Sequence, residues 1–143
     1  MNEPTLRRTR TDVRILEVND NPRDMELEWI TLVRLGYSKP ALSRDGVEAM
    51  NYLGEEGKID LVLMDTQMPR VDGLEACRDI RLKPYGQRIA IIGTSDNPDR
   101  EKEWYNSGAD YFFLRNDMLA NPSKLDATIQ EALRRRQNLE LTL

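Results

Sequence analysis

Five short apolar runs alternate with amphipathic stretches along the chain. They span Val13 to Val18, Tyr37 to Ser43, Asp60 to Met64, Ile89 to Gly93 and Tyr111 to Leu114. The third and fourth are nearly unbroken in apolar residues, the mark of strands buried on both faces. The second carries Pro40, which has no N–H to give a ladder, so it is predicted at a sheet edge. Strand and helix patterns in alternation predict a parallel sheet with helices on both sides.

Five helices are predicted between and after these runs. Three open on the same pair, Asn21-Pro22, Asn97-Pro98 and Asn121-Pro122. Asn caps free amides of a first turn, and Pro at the first helical position loses only a donor that has no partner there. The other two are predicted over residues 46–55 and 73–83. Gly36 and Gly108 stand where left-handed C-terminal caps are expected. Leu125, Ile129, Ala132 and Leu133 form an apolar stripe on the last helix.

At 143 residues the chain has the length of one domain. Residues 1–12 read as a flexible N-terminal tail, 13–137 as the domain and 138–143 as a C-terminal tail. Its 39% hydrophobic and 32% charged residues fit a soluble globular protein, and no apolar segment approaches the roughly 20 residues of a membrane span. No signal sequence is evident, so a cytoplasmic location is expected. A net charge of -4 speaks against broad nucleic-acid binding. Arg134, Arg135 and Arg136 are expected to form a solvated helix end favoured by the helix dipole. The single Cys77 is expected to be a packed thiol. With no histidine in the chain, any chemistry needing an imidazole base, ligand or phosphohistidine must draw on another molecule.

The chemistry concentrates where strands end. Asp65 closes the apolar run ending in Leu61-Val62-Leu63-Met64 and opens a loop bearing Pro69 and Gly73, a position where open α/β sheets gather their sites. Asp20 follows the first strand just before a helix cap. In the flavodoxin-like strand order 2-1-3-4-5 these two aspartates emerge side by side. Close carboxylates repel unless a cation neutralises them; Mg2+, with oxygen ligands at about 2.1 Å, would do so and would draw in a phosphoryl oxygen.

These residues resemble the receiver domain of two-component response regulators over residues 13 to 137. The segment Leu61 to Gly73 resembles the family's acceptor strand and loop, with support from Ile15 through Pro22 and from Ser107-Gly108-Ala109-Asp110-Tyr111-Phe112. The resemblance implies a flavodoxin-like doubly wound fold and an acyl-phosphate switch. Asp65 would accept a phosphoryl group from the phosphohistidine of a histidine kinase or histidine phosphotransfer protein. Mg2+ would be held by Asp20, Asp65 and the backbone carbonyl of Gln67, with Asn19 acting through water. Thr94 and Ser95 are both candidates for the hydroxyl that turns toward the phosphoryl group. The Ile91-Ile92-Gly93 run favours Ser95, the spacing to Gly108 favours Thr94, and a turn-capping role is open to either. Phe112 stands at the family's switch-aromatic position, where a plain core role is equally consistent. Trp104 and Tyr105 fit a partner surface or simple helix–sheet packing.

Three positions depart from the family pattern. Asn19 replaces an acidic residue, Arg115 a lysine and Asn116 a proline. Arg115 keeps the positive charge with a planar, bulkier head. Two functions therefore compete: a single-domain phosphorylatable receiver, and a receiver-like interaction module that works without phosphorylation. Retention of Asp20, Asp65 and a hydroxyl favours the first. A Mg2+-dependent phosphohydrolase is disfavoured, because neither an Asp-x-Asp nucleophile loop nor a phosphate-cradling glycine loop is present. No helix-turn-helix follows residue 137, so output is expected through a protein partner on the face of the fourth helix, fifth strand and fifth helix. A homodimer on that face is compatible with the sequence.

Overall fold

Five parallel strands, β1 (Ile15–Val18), β2 (Ala41–Ser43), β3 (Leu61–Asp65), β4 (Ala90–Ser95) and β5 (Tyr111–Leu114), form one sheet in the order β2-β1-β3-β4-β5. The computed structural model describes residues 9–56 and 58–142. The flavodoxin-like order expected from the sequence is thus present, with β2 at an edge directly after Pro40. Central strands bury both faces: Leu16, Val62, Met64 and Ile91 point to one core, while Ile15, Leu61, Leu63 and Ile92 point to the other. This two-sided burial explains the unbroken apolar runs.

The helices are α1 (Pro22–Arg34), α2 (Gly46–Glu56), α3 (Gly73–Leu82), α4 (Glu101–Asn106), α5 (Arg115–Ala120) and α6 (Pro122–Thr142). Each Asn-Pro pair starts a helical segment. Asn21 Oδ1 accepts from the amides of Arg23 and Asp24, Asn97 Oδ1 from Asp99, and Asn121 Oδ1 from Lys124. The middle pair opens a 3-10 turn, Pro98–Arg100, that runs into α4. Gly36 and Gly108 carry the positive φ expected of left-handed caps.

The sequence predicts five helices, and the described residues form six α-helices. The addition is α5, which follows β5 without a break. A residue preceding proline is pushed out of helical geometry; with Asn at 116, Arg115 is free to start a helix, and Met118 anchors it in the core. Of the expected N-terminal tail, residues 1–8 lie outside the described residues. Arg10–Asp12 form a 3-10 turn, and Arg10 pairs with Asp126 of α6 at 2.7 Å.

The expected C-terminal tail is helical through Thr142, since nothing after Pro122 is a Gly or Pro. The basic triplet is not simply solvated either. Arg136 is buried, and with Arg81 and Arg135 it grips the buried Asp110, whose Oδ2 also accepts from the Ile91 amide at 2.9 Å. Cys77 is buried, its thiol donating to the Ser107 carbonyl and pushed by burial to a pKa of about 11. Among the described residues no helix is long and apolar enough to cross a membrane.

Candidate functional site

β3 carries Asp65 to the carboxyl edge of the sheet, and β1 runs beside it with Val18 opposite Met64. The turn after β1 therefore brings Asp20 to the same rim. Asp20 and Asp65 both line a cleft of about 690 Å3, together with Asp24, Asp96, Arg100 and Arg115 among others. Four carboxylates against two guanidiniums leave this cleft negative, as a cation site requires.

The loop after Asp65 is tightly returned. The Gly73 amide donates to the Thr66 carbonyl at 2.8 Å, and a Cβ on residue 73 would stand 2.0 Å from the Asp65 carbonyl oxygen. Only glycine fits that approach. Arg70 adopts a left-handed φ of 68° at the loop tip, held by two hydrogen bonds from its guanidinium to Asp45. Thr66 donates to the Thr94 carbonyl at 2.6 Å and accepts from the Trp104 indole at 2.7 Å. Gln67 lies exposed on the cleft wall.

Arg115, the first residue of α5, reaches back across the cleft. Its Nη2 donates to Asp65 Oδ1, and its Nη1 donates to Asp96 Oδ2 at 2.8 Å. Asp24 and Glu28 of α1 stand at 3.6 and 3.7 Å from the same guanidinium. Burial holds the Asp65 carboxyl above its ordinary pKa, against the pull of Arg115 and the Thr66 amide, and the charge of Asp20 adds to the rise. Burial outweighs the positive charge that Arg115 brings to the Asp65 carboxylate.

The structure separates the two hydroxyl candidates. Ser95 lines the cleft, its Oγ accepting from the Asn97 amide at 3.0 Å. Thr94, one residue back and so on the opposite face of β4, is 1% exposed and donates only weakly to the Met64 carbonyl at 3.4 Å. Phe112 is half-buried against the core on the α2, α3 and α4 side and is not part of the cleft wall.

Asn19, expected at the ion's rim, is fully buried and outside the cleft lining. Its Oδ1 accepts from the Asn21 amide at 2.9 Å and its Nδ2 donates to Glu28 Oε2 at 3.3 Å. Beside it lies a pair that sequence reasoning missed, Glu17 of β1 and Glu28 of α1. Glu17 is 0% exposed and neither of its oxygens finds a donor. Desolvation pushes both carboxyls above the usual range, Glu17 farther, and the neighbouring Glu28 adds to the rise at Glu17. The signal was present: Ile15-Leu16-Glu17-Val18 places an acid inside a strand predicted to be buried.

The donor set fits Mg2+. Asp20, Asp65 and Gln67 all line the cleft and offer carboxylate and backbone-carbonyl oxygens, hard donors, and among the described residues no cluster of three or more His, Cys, Asp or Glu forms a self-sufficient metal cage. Mg2+ is characteristically held by one or two carboxylates with water and phosphate completing its shell.

Comparison with known proteins agrees with this geometry. A family model described as response regulator receiver domain matches residues 15–129. The CAI-1 autoinducer sensor kinase/phosphatase CqsS of Vibrio cholerae is 34% identical over 128 residues, covering 88% of this chain and 18% of that protein. Response regulator MprA of Mycobacterium ulcerans is 33% identical over 130 residues, covering 90% of this chain and 53% of MprA. The chain thus spans about half or less of these relatives. Among solved structures, response regulator TrrA of Thermotoga maritima in complex with Mg2+ and BeF superposes with a TM-score of 0.73 at 28% identity, over 84% of this chain and 98% of that one. A matching family model across most of the chain, on a sheet of the right order with Asp65 at its rim, leads to one conclusion: this chain belongs to the response regulator receiver domain family.

Proposed function

We propose that the chain is a phosphoacceptor, receiving a phosphoryl group on Asp65 from the phosphohistidine of a kinase or phosphotransfer partner and signalling by protein–protein contact. The carrying observation is that Asp20 and Asp65 line one cleft while Arg115 is bonded to Asp65. Transfer is direct: an Asp65 oxygen forms the new P–O bond as the P–N bond to the partner's histidine breaks, its electron pair staying on the imidazole. Such transfer asks mainly for in-line placement and neutralised charge. Asp20, Asp65 and the Gln67 carbonyl would hold Mg2+, which supplies positive charge to the phosphoryl oxygens. Arg115 offers a planar fork to those oxygens, and Ser95 is the hydroxyl positioned to turn toward them.

The occurrence of the homologous segment in a sensor kinase/phosphatase, and the Mg2+ and BeF held by TrrA, support this reading. Output would leave through the α4, β5 and α6 face, where Tyr105 is 42% exposed. Incubation with acetyl phosphate and Mg2+ followed by mass measurement tests it. Wild type should gain one phosphoryl mass and Asp65→Asn none. No gain in either would favour the phosphorylation-independent module, which the departures at Asn19, Arg115 and Asn116 motivate.

A further inference from the structure

Arg115 has more acidic partners than one cation can serve, and they are not equivalent. Asp65 is buried, and Glu28 and Asp24 approach from α1, but Asp96 is 65% exposed and covers Nη1 from the side of the segment leaving β4. An ion pair this exposed adds little to stability. Its position matters more than its strength, because it occupies the guanidinium that also holds the acceptor.

We propose that Asp96 is a gate: its carboxylate occupies Arg115 Nη1 in the resting protein, and a phosphoryl group on Asp65 takes its place. The inference rests on the phosphoacceptor reading above. Forming the acyl phosphate removes the carboxylate charge of Asp65 and returns about two negative charges slightly farther out, toward the position Asp96 occupies. Two anions repel at that distance, and the phosphoryl group offers the guanidinium two oxygens where Asp96 offers one. Asp96 is displaced. The displacement reaches α4 through a short lever, since Ser95 Oγ accepts from the Asn97 amide and Asn97 caps the turn that opens α4.

The test follows acetyl phosphate, with Mg2+, as phosphoryl donor. An Asp65 oxygen bonds to phosphorus while the bond from phosphorus to the acetate oxygen breaks, and acetate leaves with the electron pair. Rates of mass gain are compared for wild type, Asp96→Asn, Asp96→Ala and Asp65→Asn, with thermal unfolding to confirm that each variant is folded. Both Asp96 variants should react roughly two- to fivefold faster than wild type, the range an exposed ion pair commands, and the gap should narrow in high salt. Both should also bind beryllofluoride more tightly. Equal or slower reaction of Asp96→Asn overturns the gate and leaves the phosphoacceptor reading standing. Acceleration in Asp96→Ala alone assigns the effect to bulk and overturns the gate as well. No mass gain in wild type or in either Asp96 variant overturns both.

Discussion

Trp104 Nε1 donates to Thr66 Oγ1 at 2.7 Å, tying the middle of α4 to the residue that directly follows Asp65. Thr66 in turn donates to the Thr94 carbonyl at 2.6 Å, so one hydroxyl joins α4, β3 and β4. Thr66→Val would leave a fully buried indole N–H without an acceptor. The expected loss is about 1–3 kcal/mol in urea unfolding. Thr66→Ser, which keeps the hydroxyl, should recover most of it; an equal loss in both would assign the effect to the methyl group.

The Glu17 and Glu28 pair makes stability depend on pH in an unusual direction. Both carboxyls have raised pKa values in the folded chain because burial penalises their charge. Unfolded glutamate titrates near about 4.3, so above that value the unfolded chain is ionised while the folded chain still holds its proton. Stability from this source is complete below about 4.3 and falls as pH rises, until about 7 for Glu28 and about 11 for Glu17, by up to about 1.4 kcal/mol per pH unit for one group. Asp45, held below the usual range by the Glu48 amide and Arg70, and Asp126, held there by Arg10 and Tyr37, work the opposite way and only in more acid solution. Glu17→Gln should raise Tm at pH 8 and leave it nearly unchanged near pH 4. A wild-type Tm that is flat between those values would contradict the assignment.

Asn19→Asp separates charge counting from structure. Restoring the family's acid is expected from sequence to tighten Mg2+ binding. Here the amide of Asn19 donates to Glu28, so a carboxylate in its place would keep the Asn21 amide but bring a second acid against Glu28 with no N–H to give it. The variant should lose about 1–3 kcal/mol at neutral pH. The double variant Asn19→Asp with Glu28→Gln should regain it. Additive losses in the double-mutant cycle would show that the two positions do not interact.

At the opposite end of the sheet, Asp110 balances three arginines. Asp110→Ala would leave Arg81 and Arg136, whose side chains are 12% and 9% exposed, without this counter-charge, and should cost about 3–5 kcal/mol in urea unfolding. Arg135→Ala, removing a side chain 55% exposed, should cost under about 1 kcal/mol. Similar losses from the two would mean that burial is not what sets the worth of this cluster.

Much of the architecture could be read from the chain because its signals are local. Asn-Pro caps, the edge placement of the run that carries Pro40 and unbroken apolar runs each act within a few residues; the edge strand itself is shorter than that run and begins only after the proline, at Ala41. The rim of the site was legible for the same reason, since the ends of β1 and β3 fix where Asp20 and Asp65 emerge. What escaped depends on contacts distant in sequence. The hold of Arg136 on Asp110 spans 26 residues, and the approach of Glu28 to Arg115 joins α1 to α5. Ser95 and Thr94 could be separated only once the pleat of β4 assigned them opposite faces. Nor does the sequence reveal that the amide of Asn19 turns inward to Glu28, nine residues on.

The indole of Trp104 lies flat against the backbone of Gly93, where an added Cβ would come within 2.0 Å of the ring. Those two positions form a single mutational unit: a methyl at 93 demands that the indole go first, and losing the indole first opens a hole. Chimeras that borrow either β4 or α4 from another receiver should therefore take residues 93 through 104 as one cassette, with junctions outside it.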